Sequence, residues 1–323
     1  MTRRYLVLLV QLLFVAAVVG YAGRALVEQW GAMQRHAASL DPSWGLVALS
    51  GLLVLAAYAL LIATWRAMLG AWDASIPFGE AARIWFVSNL GKYIPGKVWQ
   101  IAAMGAMAQR QGVTAVAAAG SAVVVNLANI VSGFAIVLVT GAGVLRVSHP
   151  SGPRIAAVLV VLVLSGLLAL PVLLPPLTRL GARLLRREIA VPRIPARAIW
   201  LATLGTALAW AMYGVAFQLL AVAIDLAPSA ASTGATPGYI AVYTISYLIG
   251  YLSLVTPGGI VVRETMLVEG LIALGLAGAP AGWLLAVASR LWLTVLEIAP
   301  GMLFLARDAL RRPSSLPHDG TPH

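Results

Sequence analysis

The chain has 323 residues, of which 61% are hydrophobic and only 10% charged. That charged fraction, with a mean hydropathy of +0.91, lies far from the roughly one quarter charged residues of soluble domains and excludes the soluble classes. The net charge of +11 sits mainly in arginines at the ends of apolar segments, which is the positive-inside distribution of a membrane protein rather than a nucleic-acid-binding stripe.

A membrane-spanning helix needs about 20 apolar residues, and six segments meet that requirement in chain order. The first, from Tyr5 to about Val27, follows Arg3 and Arg4 and is expected to be a retained anchor rather than a cleaved leader. The second runs from Trp44 to about Trp65. Val113 to Leu145 holds no charged residue and reads as one long tilted helix. Ile155 to about Leu177, Ile199 to about Ile224 and Trp283 to about Ala306 complete the set. The loop from Thr178 to Arg197 carries six arginines, whereas Asp225 to Gly238 carries no Lys or Arg. This asymmetry predicts both termini on the cytoplasmic side of the cell (inner) membrane.

Two further segments are interrupted. Pro77 to Gln109 contains Glu80, Arg83, Lys92 and Lys97 around Pro95-Gly96. Tyr239 to Leu276 is broken at Thr256-Pro257-Gly258-Gly259 and then carries Arg263, Glu264 and Glu269. Two arms around a Pro-Gly break predict a re-entrant hairpin, which the bilayer tolerates only where protein or water satisfies the freed backbone. The order span, loop, hairpin, span occurs twice, over residues 44–145 and 199–306, and the charge rule gives the two units opposite orientation. The expected fold is therefore an all-α integral membrane protein, with six transmembrane helices and two re-entrant hairpins in an inverted repeat. Residues 1–312 form one polytopic domain, and 313–323 a disordered cytoplasmic tail. Inverted repeats with paired broken helices point to a midplane transport site.

At these hairpins the sequence resembles the lysylphosphatidylglycerol synthase transmembrane region family. The residues carrying the resemblance are Asn89-Leu-Gly-Lys-Tyr-Ile-Pro-Gly-Lys-Val-Trp99 and Thr256-Pro-Gly-Gly-Ile-Val-Val-Arg-Glu264. The family is described as flippase-like and includes the membrane half of the multiple peptide resistance factor. The likeness extends over nearly the whole chain in size and span order. The chain lacks the soluble aminoacyl-transferase domain of the bifunctional members, so the resemblance implies lipid translocation rather than lysyl-lipid synthesis. It also implies an anionic lipid partner, and a glycosyltransferase or lipid-modifying enzyme as a possible second partner.

The ionisable residues supply candidate roles. Lys92 and Lys97 flank the first break, beside Pro95 and Gly96. There, with the helix N-terminus that follows, they can hold a lipid phosphate or snorkel to the interface. Arg263, after Pro257, Gly258 and Gly259, can grip a phosphate with its planar fork or pair with Glu264 or Glu269. Arg290 and Glu297 lie seven apart on one helix face; coupling and a static pair are both open readings. Asn126 and Asn129 suit helix–helix hydrogen bonding, and the tryptophans, Trp65, Trp85 and Trp210 among them, an interfacial belt. His36, His149, His318 and His323 fall in loops or the tail, so no buried histidine metal site and no cofactor are expected. No nucleophile elbow, Walker A loop or zincin motif occurs. Three functions stand: an anionic-lipid flippase, a non-transporting scaffold for a glycosyltransferase or aminoacyl-lipid synthase, and a membrane enzyme acting on a lipid-linked phosphate. The flippase reading is the preferred one.

Overall fold

The computed structural model describes residues 41–93, 98–148, 195–225, 231–253 and 261–311, with isolated positions at 24, 27, 31, 165 and 259. The described residues are predominantly helical, with no strand among them. Eight α-helices follow one another: α1 Trp44–Gly70, α2 Phe78–Asn89, α3 Val98–Gln109, α4 Ala115–Ser148, α5 Ala196–Ala223, α6 Thr236–Leu252, α7 Val262–Ala273 and α8 Ala279–Arg311. A short 3-10 turn, Leu90–Tyr93, continues α2.

Length separates them into two kinds. Helices α1, α4, α5 and α8 are long and apolar enough to cross a membrane. At 1.5 Å per residue, α1 and α5 reach about 40 Å against a hydrocarbon core of about 30 Å. Helices α2, α3 and α7 have 12 residues each. Each extends only about 18 Å and cannot cross alone. The spans expected at Trp44, Val113, Ile199 and Trp283 thus correspond to α1, α4, α5 and α8. Both interrupted segments are pairs of shorter helices, α2 with α3 and α6 with α7. The spans expected at Tyr5–Val27 and Ile155–Leu177 lie outside the described residues, as do the loop through residue 194 and the tail from residue 312.

The chain leaves α1 and α5 in similar ways. After α1 the chain turns at Asp73, with φ 55°, and after α5 at Asp225, with φ 48°. Aspartate tolerates this left-handed conformation because its short carboxylate can bond locally. Proline then opens the next helix in each half: Pro77 precedes α2, and Pro237 lies in the first turn of α6, where its missing N–H costs nothing.

Packing centres on α1 against α5, which pair more extensively than any other two helices. The Ser50 hydroxyl donates to the Ala216 carbonyl at 2.6 Å, and Ser43 N–H donates to Ala223 O at 2.8 Å. Small residues bring the backbones together, as expected where lipid supplies no hydrophobic drive between helices. Each second long helix then crosses to the opposite short pair. Helix α4 lies on α6 as well as α3, and α8 lies on α2 as well as α7. The exposed leucines and valines, including Leu52, Leu204, Leu291 and Leu303, are the side chains that such a bundle turns to lipid.

Candidate functional site: a polar cavity between the broken helix pairs

All eight helices contribute to one cavity of about 170 Å³. Helix α1 supplies Tyr58, Leu61 and Trp65; α5 supplies Trp210 and Tyr213. The first broken pair gives Trp85 and Asn89 from α2, with Gln100 and Met104 from α3. Asn126 and Asn129 come from α4. The second pair gives Tyr243, Tyr247 and Tyr251 from α6 and Arg263 from α7, and α8 closes the space with Arg290 and Glu297.

Among the described residues Arg263 is the most deeply placed cation, only 5% exposed. Its guanidinium carbon lies 5.3 Å from the Tyr243 ring centroid and 5.0 Å from that of Tyr247. Cation–π attraction of this kind is worth about 2 kcal/mol once water is removed. It leaves hydrogen-bonding capacity unspent, because Nη2 is buried and has no partner among the described residues. A buried charged donor without a partner is rare in native structures and calls for an explanation.

The backbone holds Arg263 in place by two unusual features. Gly259 has φ 67°, and a Cβ there would stand 2.5 Å from the Gly250 carbonyl oxygen. A Cβ on Gly250 would stand 2.8 Å from Cβ of Arg263. Only glycine allows the α6 end and the α7 start to meet so closely. Val261 has φ 73°, a conformation that a β-branched residue adopts under strain. Its N–H donates to Glu264 Oε2 at 2.7 Å, so the carboxylate caps the first turn of α7. The other oxygen, Oε1, stands 3.4 Å from Arg290 Nη1. Glu264 therefore ties the strained turn to α8.

Two helical turns beyond Arg290 on α8, Glu297 is 3% exposed and accepts a 2.6 Å hydrogen bond from the Tyr58 hydroxyl. Tyr251 donates to Asn126 Oδ1 at 2.9 Å, and Trp210 Nε1 to the Asn129 carbonyl at 2.8 Å. Asn89 and Gln100 bond across the first break. Trp85 Nε1, like Arg263 Nη2, is buried without a partner among the described residues.

The predicted site residues divide as follows. Arg263, Arg290, Glu297 and Asn126 line the cavity, Glu264 stands behind it on Arg290, and Gly259 packs against Gly250, which in turn meets Arg263. Glu269 is exposed on α7 and does not line it. Pro95, Gly96, Lys97, Pro257 and Gly258 lie outside the described residues, and Lys92 is described through its backbone only, in the 3-10 turn. The interfacial placement expected of the tryptophans does not hold for Trp65 and Trp210. They are 0% and 3% exposed and line the cavity, each with its indole N–H bonded inside, Trp65 to Ser121 Oγ at 3.0 Å. The tyrosines were not singled out in the sequence. Their signal was present: Tyr239, Tyr243, Tyr247 and Tyr251 recur every four residues, which lays them on one face of α6.

Among the described residues no group of His, Cys, Asp and Glu is arranged to hold a metal ion. The arrangement is that of a helical membrane protein with a polar chamber lined by residues of two broken helix pairs. The chain belongs to the lysylphosphatidylglycerol synthase transmembrane region family, whose model matches residues 8–301. It is thus a membrane protein of a lipid-related family, and the match is to that family's membrane region rather than to its catalytic domain. No curated protein sequence matches the chain.

Proposed function

We propose that the protein is a flippase-like transporter that moves an anionic lipid between the leaflets of the cell membrane. The observation that carries this reading is Arg263, a buried guanidinium lining a polar cavity, whose Nη2 has no partner among the described residues. A phosphate oxygen of a lipid headgroup is the acceptor this donor lacks. The amides of Asn89, Gln100 and Asn126 would bind the neutral part of the headgroup, while the acyl chains stay among the lipid-facing leucines. On this reading the two broken pairs act as re-entrant hairpins of an inverted repeat, Lys92 and Lys97 draw the headgroup in, and both termini are cytoplasmic. Two short helices that cannot cross alone, placed on either side of a central chamber, suit alternating exposure of one site.

The reading is tested by reconstituting the protein into liposomes that carry a trace of fluorescent phosphatidylglycerol, and following loss of outer-leaflet signal to a membrane-impermeant quencher. Protein-bearing vesicles should expose the inner-leaflet pool many times faster than empty ones, with fluorescent phosphatidylcholine lagging behind. Equal rates in protein-bearing and empty vesicles would refute the proposal.

A further inference from the structure

The cavity holds more than a grip for phosphate. A phosphate oxygen only accepts hydrogen bonds, so a site for phosphate alone needs donors, and the guanidinium of Arg263 is one. The lining also carries the amides of Asn89, Gln100, Asn126 and Asn129. An amide accepts as well as donates, as the hydroxyls of a polyol do. The volume of about 170 Å³ amounts to the share of several water molecules, at about 30 Å³ each. A phosphate group fills only part of it.

The first broken pair carries the sign of what fills the remainder. Trp65, Trp85 and Trp210 all line the cavity. Trp65 gives its N–H to Ser121 Oγ, and Trp210 to the Asn129 carbonyl. Trp85 Nε1 is buried with no partner among the described residues. An indole N–H only donates, so the partner it lacks is an acceptor, and buried donors are seldom left without one. One turn along the same face of α2 stands Asn89, whose Oδ1 accepts from Gln100 Nε2 of α3. An indole and two amides therefore adjoin. Aromatic faces carry partial negative charge and suit the weakly positive C–H faces of a sugar or cyclitol ring, whose hydroxyls meet the amides. An alkyl or ammonium headgroup offers the indole N–H no acceptor.

We infer that Trp85, Asn89 and Gln100 form a hydroxyl-reading subsite, and that the lipid headgroup is a sugar or cyclitol ring joined to its anchor through a phosphodiester. The inference rests on the function proposed above and names the class of its substrate. Arg263 takes a phosphodiester oxygen, and a ring hydroxyl accepts from Trp85 Nε1. Neighbouring hydroxyls exchange hydrogen bonds with Asn89 and Gln100. A site built around hydroxyls discriminates strongly against an analogue that lacks them, because its buried polar groups are then left unpaired. Phosphatidylglycerol, with only its glycerol hydroxyls, satisfies such a site in part.

The test uses the full-length protein in a non-ionic detergent, titrated calorimetrically with two pairs of short lipids. Dihexanoyl phosphatidylinositol is compared with dihexanoyl phosphatidylethanol, and citronellyl phosphoglucose with citronellyl ethyl phosphate. Within each pair the anchor and the charge are the same, and only the hydroxylated ring differs. In at least one pair the ring-bearing lipid should bind at least about tenfold tighter than its ethyl partner. A preference in the first pair alone assigns a diacylglycerol anchor, and in the second alone an isoprenyl one; either supports the subsite. Trp85→Phe keeps an aromatic ring and removes the N–H. It should weaken the preferred lipid roughly two- to tenfold, the worth of one hydrogen bond, and leave the ethyl ester unchanged. An equal loss for both would remove Trp85 from the subsite. No preference in either pair, with phosphatidylglycerol still translocated in liposomes, would overturn the subsite and leave the flippase reading intact. Absence of both binding and translocation would overturn the two readings together.

Discussion

The two broken helix pairs occupy corresponding places in the chain, yet they are built differently. The second pair is tight and charged. Gly250 and Gly259 let α6 and α7 meet backbone to backbone, Val261 is strained, and Arg263 enters the cavity over two tyrosine rings. The described part of the first pair is looser and neutral where it meets the cavity, with Trp85, Asn89, Gln100 and Met104 facing inward. Its described charged side chains lie at the far end of α2, where Arg83 bridges Glu80 and Asp308. A shared topology therefore does not mean a shared role. Among the described residues that line the cavity, the second pair presents a charged side chain and the first presents neutral ones.

The sharpest way to break that comparison is to neutralise one side at a time. Arg263→Gln should cost about 1.5–3 kcal/mol of anionic-lipid binding, the value of a charged hydrogen bond, and lower transport roughly tenfold to a hundredfold. Asn89→Ala removes only a neutral amide, worth about 0.5–1.5 kcal/mol, and should lower it by roughly two- to tenfold. The quencher assay in liposomes reads both. Equal losses would show that the two pairs grip the headgroup together and would end the division of labour.

Packing offers the next largest contrast. Gly250→Ala drives a methyl group to 2.8 Å from Arg263 Cβ, and overpacking of this kind costs about 1–3 kcal/mol. Gly105, in α3 of the first pair, has nothing within 4 Å of an added Cβ. Alanine there should be neutral or gain up to about 1 kcal/mol from helix propensity. Thermal unfolding in detergent should thus fall for the first variant and hold or rise for the second. A drop in both would mean that the first pair is packed as tightly as the other.

How much of this was legible in the sequence depends on the residue. The long helices were, because some twenty apolar residues leave no other place for the chain, and the breaks were, because proline and glycine interrupt a hydropathy run visibly. Arg263, Glu264, Arg290 and Glu297 stood out because charge inside a membrane is expensive and rarely idle. Glu269 carried the same signal, yet it is exposed, since sequence alone does not fix which face of α7 meets the cavity. Tyr58 and Tyr213 were illegible for the opposite reason. A lone tyrosine in an apolar helix looks the same whether it packs against core, bilayer interface or ligand. Only contacts between distant helices, such as Tyr58 with Glu297 across 239 positions, reveal the difference.

The smallest expected effect concerns the charges that the first pair keeps away from the cavity. Arg83 Nε meets Glu80 Oε2 at 2.9 Å and Nη1 meets Asp308 Oδ2 at 2.6 Å, with the acids 39% and 38% exposed. Pairs open to water to this degree are worth about 0.2–1 kcal/mol and weaken with salt. The Gln111 amide also reaches Glu80, at 3.3 Å, so the cluster ties the α3–α4 turn, the start of α2 and the end of α8 at one point. If the cluster only braces these ends, Arg83→Gln should lower the unfolding temperature slightly in dilute buffer and less at high salt, with lipid transport unchanged. A large loss of transport in a variant of unaltered stability would be informative in the other direction. It would mean that this contact opens and closes during the cycle, and that the first pair contributes motion where the second contributes charge.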